Sequence, residues 1–199
     1  GKRIGVYSLS SGTRQNLQVL LHQAGLKESD VTVVVTGLLN FAPLMQGQVD
    51  ATAATDTGLA VGRQRGLGAV NVIEVRQHLN ISSDVFVVRE DTYQQRKDVL
   101  RRFLQAYRDS MQWMIQSPQE AAQLATQVAI DGQNPTINLD IIKLRNASSV
   151  SVLTQQRGLG AIDVDTLQKG AQVYKQLGLI SRDLRMADVV SQDLLPGRS

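Results

Sequence analysis

A layered α/β domain built on a parallel sheet is the fold class this sequence predicts, and three observations predict it. Short runs of β-branched and apolar residues alternate with longer segments whose apolar residues recur at helical spacing. The connections between them are short and rich in Gly, Ser, Thr and Asn. Gly is frequent, at 16 residues, and Pro scarce, at 4, as many tight strand–helix turns require. Strand–helix–strand units of this kind pair in parallel through right-handed crossovers. Ligands in such sheets sit at the carboxyl ends of the strands.

Residues 1–7 (GKRIGVY) read as a short buried strand, 8–13 (SLSSGT) as a turn of small hydroxyl residues, and 14–23 as a helix with apolar positions at Leu17, Val19, Leu20 and Leu21. Gly25 stands where a helix stop turns left-handed. Residues 31–35 (VTVVV) are a second strand, ended by Thr36-Gly37. Asn40 is a candidate N-cap for a short helix over 41–46, closed by Gly47. Residues 49–54 predict a third strand, 57–64 a helix and 70–75 (VNVIEV) a fourth strand. The polar stretch 76–83 is a crossover, and 84–89 (DVFVVR) predicts a fifth strand.

From Asp91, read as an N-cap, the character changes. One long amphipathic helix is predicted over 91–116, with Phe103, Tyr107 and Trp113 among its apolar positions and Trp113 expected in the core. Ser117-Pro118 opens a second helix, to about residue 130. Residues 131–136 read as a loop, 139–147 as a helix, 164–176 as a helix capped by Asp163 and stopped by Gly178, and 186–190 as a short helix. The two halves thus differ, with four strands expected in 1–82 and one in 83–199, which are taken as two lobes. One strand is not a sheet, so the second lobe must pack as helices or receive strands from elsewhere, either from upstream of Gly1 or by strand sharing in a dimer.

Composition narrows the chemistry. Hydrophobic residues make up 42% and charged residues 20% of the 199, as in ordinary globular proteins. The absence of Cys excludes disulfides, thiolate catalysis and Cys-based metal sites. The net charge of +3 is spread out, and Arg96, Lys97, Arg101 and Arg102 interleave with apolar residues as a solvated helix face, so nucleic acid is not an expected partner. No stretch approaches the ~20 apolar residues of a membrane helix. Two His residues leave little material for acid–base catalysis, and no metal or cofactor motif is present. RGLGAV at 65–70 and RGLGAI at 157–162 are too short for a structural repeat and reflect either chance or similar turn chemistry.

The candidate binding residues lie at strand ends. They are Ser10, Ser11, Gly12 and Thr13, then Thr36, Gly37 and Asn40, then Thr55 and Asp56. A strand running into a Ser/Gly/Thr turn and a helix leaves unpaired N–H groups at the positive end of the helix dipole, which suits a polar or anionic ligand. Each also has a plain structural reading: Ser11, Thr13 or Asp56 as a helix N-cap. His78, in the crossover, faces either a ligand or solvent.

Several stretches together resemble a known family. GKRIGVYSLSSGT, VTVVVTG, APLMQGQVDATAATD, DVFVVRED, FLQAYRDSMQWMIQSPQEAAQLA and GLGAIDVDTLQKGAQVYKQLGLI are similar to the periplasmic substrate-binding proteins of ABC importers for nitrate, sulfonates, taurine and thiamine pyrimidine precursors. The resemblance implies a two-lobed periplasmic-binding-protein fold of type II, with one lobe complete and the other lacking its N-terminal strands, because family members carry a further segment before the counterpart of Gly1. It also implies a small polar anion or zwitterion captured between lobes, delivery to a membrane permease, a precursor signal peptide, and a periplasmic or lipid-anchored location. The 10–13 turn, Thr36-Gly37 and Thr55-Asp56 match the family's cleft-facing strand ends. Thr57-Gly58 stands where many members have Pro and an aromatic, so one ring wall is absent. Asp56 is then placed to pair with a ligand ammonium. A non-enzymatic binding protein is the expected function. The alternatives are a ligand-sensing domain of a regulator, for which no helix-turn-helix is visible, and a pyrimidine-precursor enzyme of the same fold, which relies on a Cys-rich motif that this chain lacks.

Overall fold

A computed structural model of the chain describes residues 1–39, 41–82, 84–130, 132 and 134–195. It separates into two compact units, Gly1–Asn80 with Lys169–Asp183 and Ile81–Gln168 with Leu184–Ser199. The return of 169–183 to the first unit has no counterpart in the expected division into 1–82 and 83–199.

The first unit contains a three-stranded parallel sheet in the order β2-β1-β3. Its strands are β1 (Arg3–Val6), β2 (Thr32–Val35) and β3 (Ala51–Thr52). Ile4 pairs with Val33 on one side and Ala51 on the other, so β1 is central. Helix α1 (Gly12–Gln23) makes the crossover from β1 to β2, α2 (Ala42–Met45) lies between β2 and β3, and α3 (Asp56–Gln64) follows β3. Leu17 and Leu21, one turn apart on α1, meet the fully buried Val6 of β1. Ile4, Val31, Val33 and Ala53 pack around that cluster. Gly25 takes φ +70°, which lets the Leu26 N–H reach back to the Leu21 carbonyl at 2.8 Å and end α1. Gly66 and Gly158, at φ +94° and +92°, each follow an Arg at a helix end, so the two RGLGA stretches share helix-stop chemistry.

Two expected strands are absent among the described residues. Residues 70–75 and 84–89 are without regular strand pairing, and a 3₁₀ turn, Val75–Gln77, ends the first of them. Both have the β-branched composition of strands, but composition forms a strand only where a neighbour accepts its hydrogen bonds. Ile73 is 70% exposed and Val87 83% exposed, so neither run has found that neighbour. Among the described residues, three strands therefore stand in 1–82 instead of four, and none in 83–199.

Arg14 of α1 is fastened by Glu28, with Nε and Nη2 donating at 2.8 and 3.0 Å, and Gln18 also donates to this carboxylate. Burial pushes the Glu28 carboxyl up, but the hydrogen bonds from Arg14 and Gln18 and the Arg14 charge outweigh it and hold the carboxyl below its ordinary 4.5. A carboxyl lowered on folding adds stability above its unfolded pKa and loses it as pH falls through the lower folded value. Glu28→Ala is expected to cost about 1–2 kcal/mol at pH 7, the low end for a charge-assisted pair because the side chains remain partly solvated. Urea denaturation of variant and parent at pH 7 and again at pH 3 checks this, and the gap should shrink at pH 3.

The second unit is helical: α4 (Glu90–Gln95), α5 (Lys97–Gln116), α6 (Pro118–Val128), α7 (Pro135–Ser149), α8 (Val152–Arg157), the start of α9 (Val164–Gln176), and α10 (Met186–Val189). The helix expected over 91–116 is broken at Arg96, whose φ of −131° leaves the helical region. Asp91 is not its N-cap: Arg89 holds that position, and Asp91 Oδ1 instead accepts from the Thr92 N–H at 2.7 Å. Ser117 precedes α6 without a side-chain cap bond. Helix α7 starts earlier than residue 139, because Asn134 Oδ1 accepts from the N–H groups of Thr136 and Ile137 and Pro135 fits the first turn. Ser151 and Thr154 form a capping box that starts α8, which the sequence reading missed.

Small residues bring α6 and α7 together, with Ala121 and Ala122 buried and Asn138 donating to the carbonyls of Ala122 and Gly132. Trp113 is 38% exposed and is not core, contrary to its expected place, and Phe103 and Tyr107 of the same helix are 50% and 47% exposed. Phe86 lies edge-on to Phe103 and Tyr107, with centroids 5.1 and 4.8 Å away. The carboxyl-terminal stretch is latched to α4 and α5. Asp193 accepts from Tyr93 Oη at 2.6 Å, from Lys97 Nζ at 3.2 Å and from Ser191. The Ser191 and Tyr93 hydrogen bonds hold the Asp193 carboxyl down to about 2, against the effect of burial. Leu194, the next residue, is buried.

Candidate functional site

Parallel strands joined by helices put every helix start at one edge of the sheet. In the first unit the turns after β1, β2 and β3 share that edge, and hydrogen bonds hold them in place. Thr36 donates its N–H to the Val6 carbonyl at 2.8 Å and its hydroxyl to the same oxygen at 3.1 Å. Gly37, at φ +58°, donates to the Tyr7 carbonyl at 3.1 Å. Ala53 donates to the Gly5 carbonyl at 2.8 Å. The structure thus brings Ser10, Ser11, Gly12, Thr13, Thr36, Gly37, Thr55 and Asp56 to one edge.

Their roles there differ. Ser11 is the N-cap of α1: its hydroxyl accepts from the Arg14 N–H, donates to the Ser8 carbonyl at 2.7 Å and meets the Thr13 hydroxyl at 2.9 Å. Ser10 lies against Ser8, with 3.4 Å between hydroxyl oxygens. The N–H groups of Gly12 and Thr13 meet no acceptor among the described residues and point from the positive end of α1. Thr55, not Asp56, is the N-cap of α3, accepting from the Gly58 N–H at 3.1 Å. Asp56 is the first helical residue, where a carboxylate complements the helix dipole, and its Oδ1 accepts from the Thr57 N–H at 2.8 Å. Asn40 lies outside the described residues. His78 is the exposed residue after the Val75–Gln77 turn, and no described contact joins it to the three turns.

The sequence reading passed over two kinds of residue at this edge. Gly5 is one: a Cβ built on it would sit 3.0 Å from both Thr36 Cγ2 and Thr52 Oγ1, so only glycine lets the strands close up below the turns. The others are apolar and exposed, Tyr7 and Leu9 after β1 and Leu38 after β2. The signal was available at Leu9, which sits between Ser8 and Ser10 where folding alone gives an apolar side chain nothing to bury against, but not at Tyr7 or Leu38, which adjoin apolar Val6 and Leu39. No group of three or more His, Asp or Glu side chains among the described residues is placed to hold a metal ion, and no described helix is long and apolar enough to cross a membrane.

A parallel sheet with three polar turns gathered at its carboxyl edge is the arrangement in which open α/β sheets place ligands. Solved structures with a similar fold include two sulfonate-binding proteins. The chain aligns along 100% of its length with the periplasmic aliphatic sulphonate binding protein SsuA of Escherichia coli, at a TM-score of 0.69 and 16% identity, covering 62% of that chain. The alkanesulfonate-binding protein SsuA of Xanthomonas axonopodis pv. citri, bound to MOPS, aligns over 96% of this chain and 63% of its own at a TM-score of 0.61 and 17% identity. In sequence, the chain is 25% identical to the riboflavin-binding protein RibY of Chloroflexus aurantiacus over 202 residues, covering 100% of this chain and 57% of that protein. The chain thus spans about three fifths of the length of these relatives. Residues 1–121 match the NMT1/THI5-like family model, and the chain belongs to that family.

Proposed function

We propose that this chain is the ligand-recognising portion of an extracytoplasmic solute-binding protein, which captures a small polar ligand and delivers it to the membrane permease of an ABC importer. The observation that carries this reading is the convergence of the three polar turns after β1, β2 and β3 on one sheet edge in a chain of this family. The expected ligand classes, sulfonate, taurine, nitrate or pyrimidine-like, all present oxygens or nitrogens that the free N–H groups of Gly12 and Thr13 and the hydroxyls of Ser10, Thr13 and Thr55 are suited to meet. The location follows from this role, as a periplasmic or lipid-anchored protein.

Binding without catalysis is the better-supported function. Thr13, Ser11 and Thr55 have their hydroxyls engaged in caps and with one another, not with a base. The comparisons lend no support to a strand-sharing dimer. Thermal unfolding against taurine, alkanesulfonates, nitrate, bicarbonate, aminopyrimidines and riboflavin tests the reading. A ligand at ~100 times its dissociation constant adds about 2.7 kcal/mol, or roughly 5–10 °C for a chain of this size. A shift of that order with one compound supports the function; no shift with any, in a cooperatively folded sample, removes it.

A further inference from the structure

The charges at this edge discriminate among ligand classes. Arg14 is the cation that β1 to α3 place beside the turns, and it is spent: its guanidinium is paired with Glu28, and Nη1 donates to the Leu9 carbonyl at 2.8 Å. The other cations of these elements lie at the opposite edge, Lys2 and Arg3 at the start of β1, and Arg63 and Arg65 at the end of α3. Arg3 is itself paired with Asp50. Asp56 is the ionisable acid at the ligand edge, exposed, and its Oδ2 has no partner among the described residues. Placed at the first position of α3, it already offsets the partial positive charge of that helix end. Among the described residues of β1 to α3, a bare anion would meet the Asp56 carboxylate and no cation at this edge that is not already paired.

The apolar side chains add a second requirement. Leu9 is 60% exposed and Leu38 85% exposed, on turns that adjoin through the Gly37–Tyr7 hydrogen bond. Burying them against a ligand would be favourable only if the ligand has hydrocarbon or ring surface to offer. Resting on the solute-binding reading above, we propose that the ligand carries no net negative charge, and that it joins a hydrogen-bond-donating polar arm, of hydroxyl or ammonium groups directed to Asp56, to an apolar body held against Leu9 and Leu38. The N–H groups of Gly12 and Thr13 take an acceptor oxygen or nitrogen of the same ligand.

Riboflavin and its 5′-phosphate form a matched pair of probes, with the same ring and polyol arm but a phosphate on only one. Titration of the purified chain with each, followed by flavin fluorescence, should show riboflavin binding at least tenfold more tightly. Taurine and ethanesulfonate, followed by calorimetry, form a second pair that differs by the ammonium, and taurine should bind the better. Asp56→Asn keeps an acceptor for the Thr57 N–H and should weaken the favoured probe at least tenfold, and Leu38→Ser should weaken riboflavin. Ethanesulfonate binding more tightly than taurine to the parent chain, or Asp56→Asn leaving the favoured probe's affinity unchanged, would overturn the proposal while leaving the solute-binding function standing. Silence from all the probes would remove both together.

Discussion

Leu17→Ala is expected to destabilise the first unit by about 2–5 kcal/mol, the range for a buried leucine whose cavity cannot collapse. Leu17 is 7% exposed and packs with Leu21 against Val6, which is fully buried. The rest of that cluster is β-branched or small: Ile4, Val31, Val33 and Ala53 come from three consecutive strand segments and have little freedom to swing into a void. Leu9→Ala is the control, since Leu9 is exposed and its truncation should fall within about 0.5 kcal/mol of the parent. Urea unfolding followed by far-ultraviolet circular dichroism separates the two. A loss below about 1 kcal/mol for Leu17→Ala would mean that the sheet does not depend on this cluster.

The first three strand–helix units were legible because every cue agreed. Val33 and Val34 are β-branched, Leu17 and Leu21 keep helical spacing, and Gly25 and Gly47 sit at the two stops where positive φ is needed. At residues 70–75 and 84–89 the cues were no weaker, and the expectation failed all the same. A strand is a relation between segments, and Val85, Phe86, Val87 and Val88 have β-forming side chains but no partner backbone among the described residues. The missed α8 was a different failure: the Ser151–Thr154 box was in plain view, but the apolar spacing that would draw attention to a helix was not.

The site divides along the same line. Which turns would gather was readable from the alternation of strands and helices, because parallel crossovers put all helix starts at one edge. What each side chain would do there was not. Whether Thr55 or Asp56 caps α3 depends on one residue of register, and whether Arg14 is free to meet an anion depends on Glu28, fourteen positions away. The reading of the ligand as an anion or zwitterion rested on helix-end donors, on Asp56 as a partner for an ammonium, and on the family resemblance. The ion pair that takes Arg14 out of play is what moves the balance towards a donor-bearing ligand.

Gly5→Val should abolish ligand binding and cost more stability than any exposed substitution. The added Cβ would lie 3.0 Å from Thr36 Cγ2 and from Thr52 Oγ1, on both sides of the central strand at once. Neither neighbour can simply rotate away, because the Thr36 hydroxyl donates to the Val6 carbonyl and the Thr52 hydroxyl donates to the Gly5 carbonyl. Relief must come from spreading β2 and β3 from β1, which moves the Thr36-Gly37 and Thr55-Asp56 turns relative to the 8–13 turn. Gly5→Ala is the milder version, with a cost of about 1–3 kcal/mol for overpacking, reduced by the roughly 0.4–1 kcal/mol that losing a glycine removes from the unfolded chain's entropy. Thr36→Ser deletes the crowded methyl and keeps the hydroxyl, so the Gly5→Ala/Thr36→Ser double variant should recover part of the loss that Gly5→Ala suffers alone. A double-mutant cycle on urea midpoints reads that coupling. Additive losses would show that the strands are not in contact at this point, and the site would then owe its shape to the turns alone.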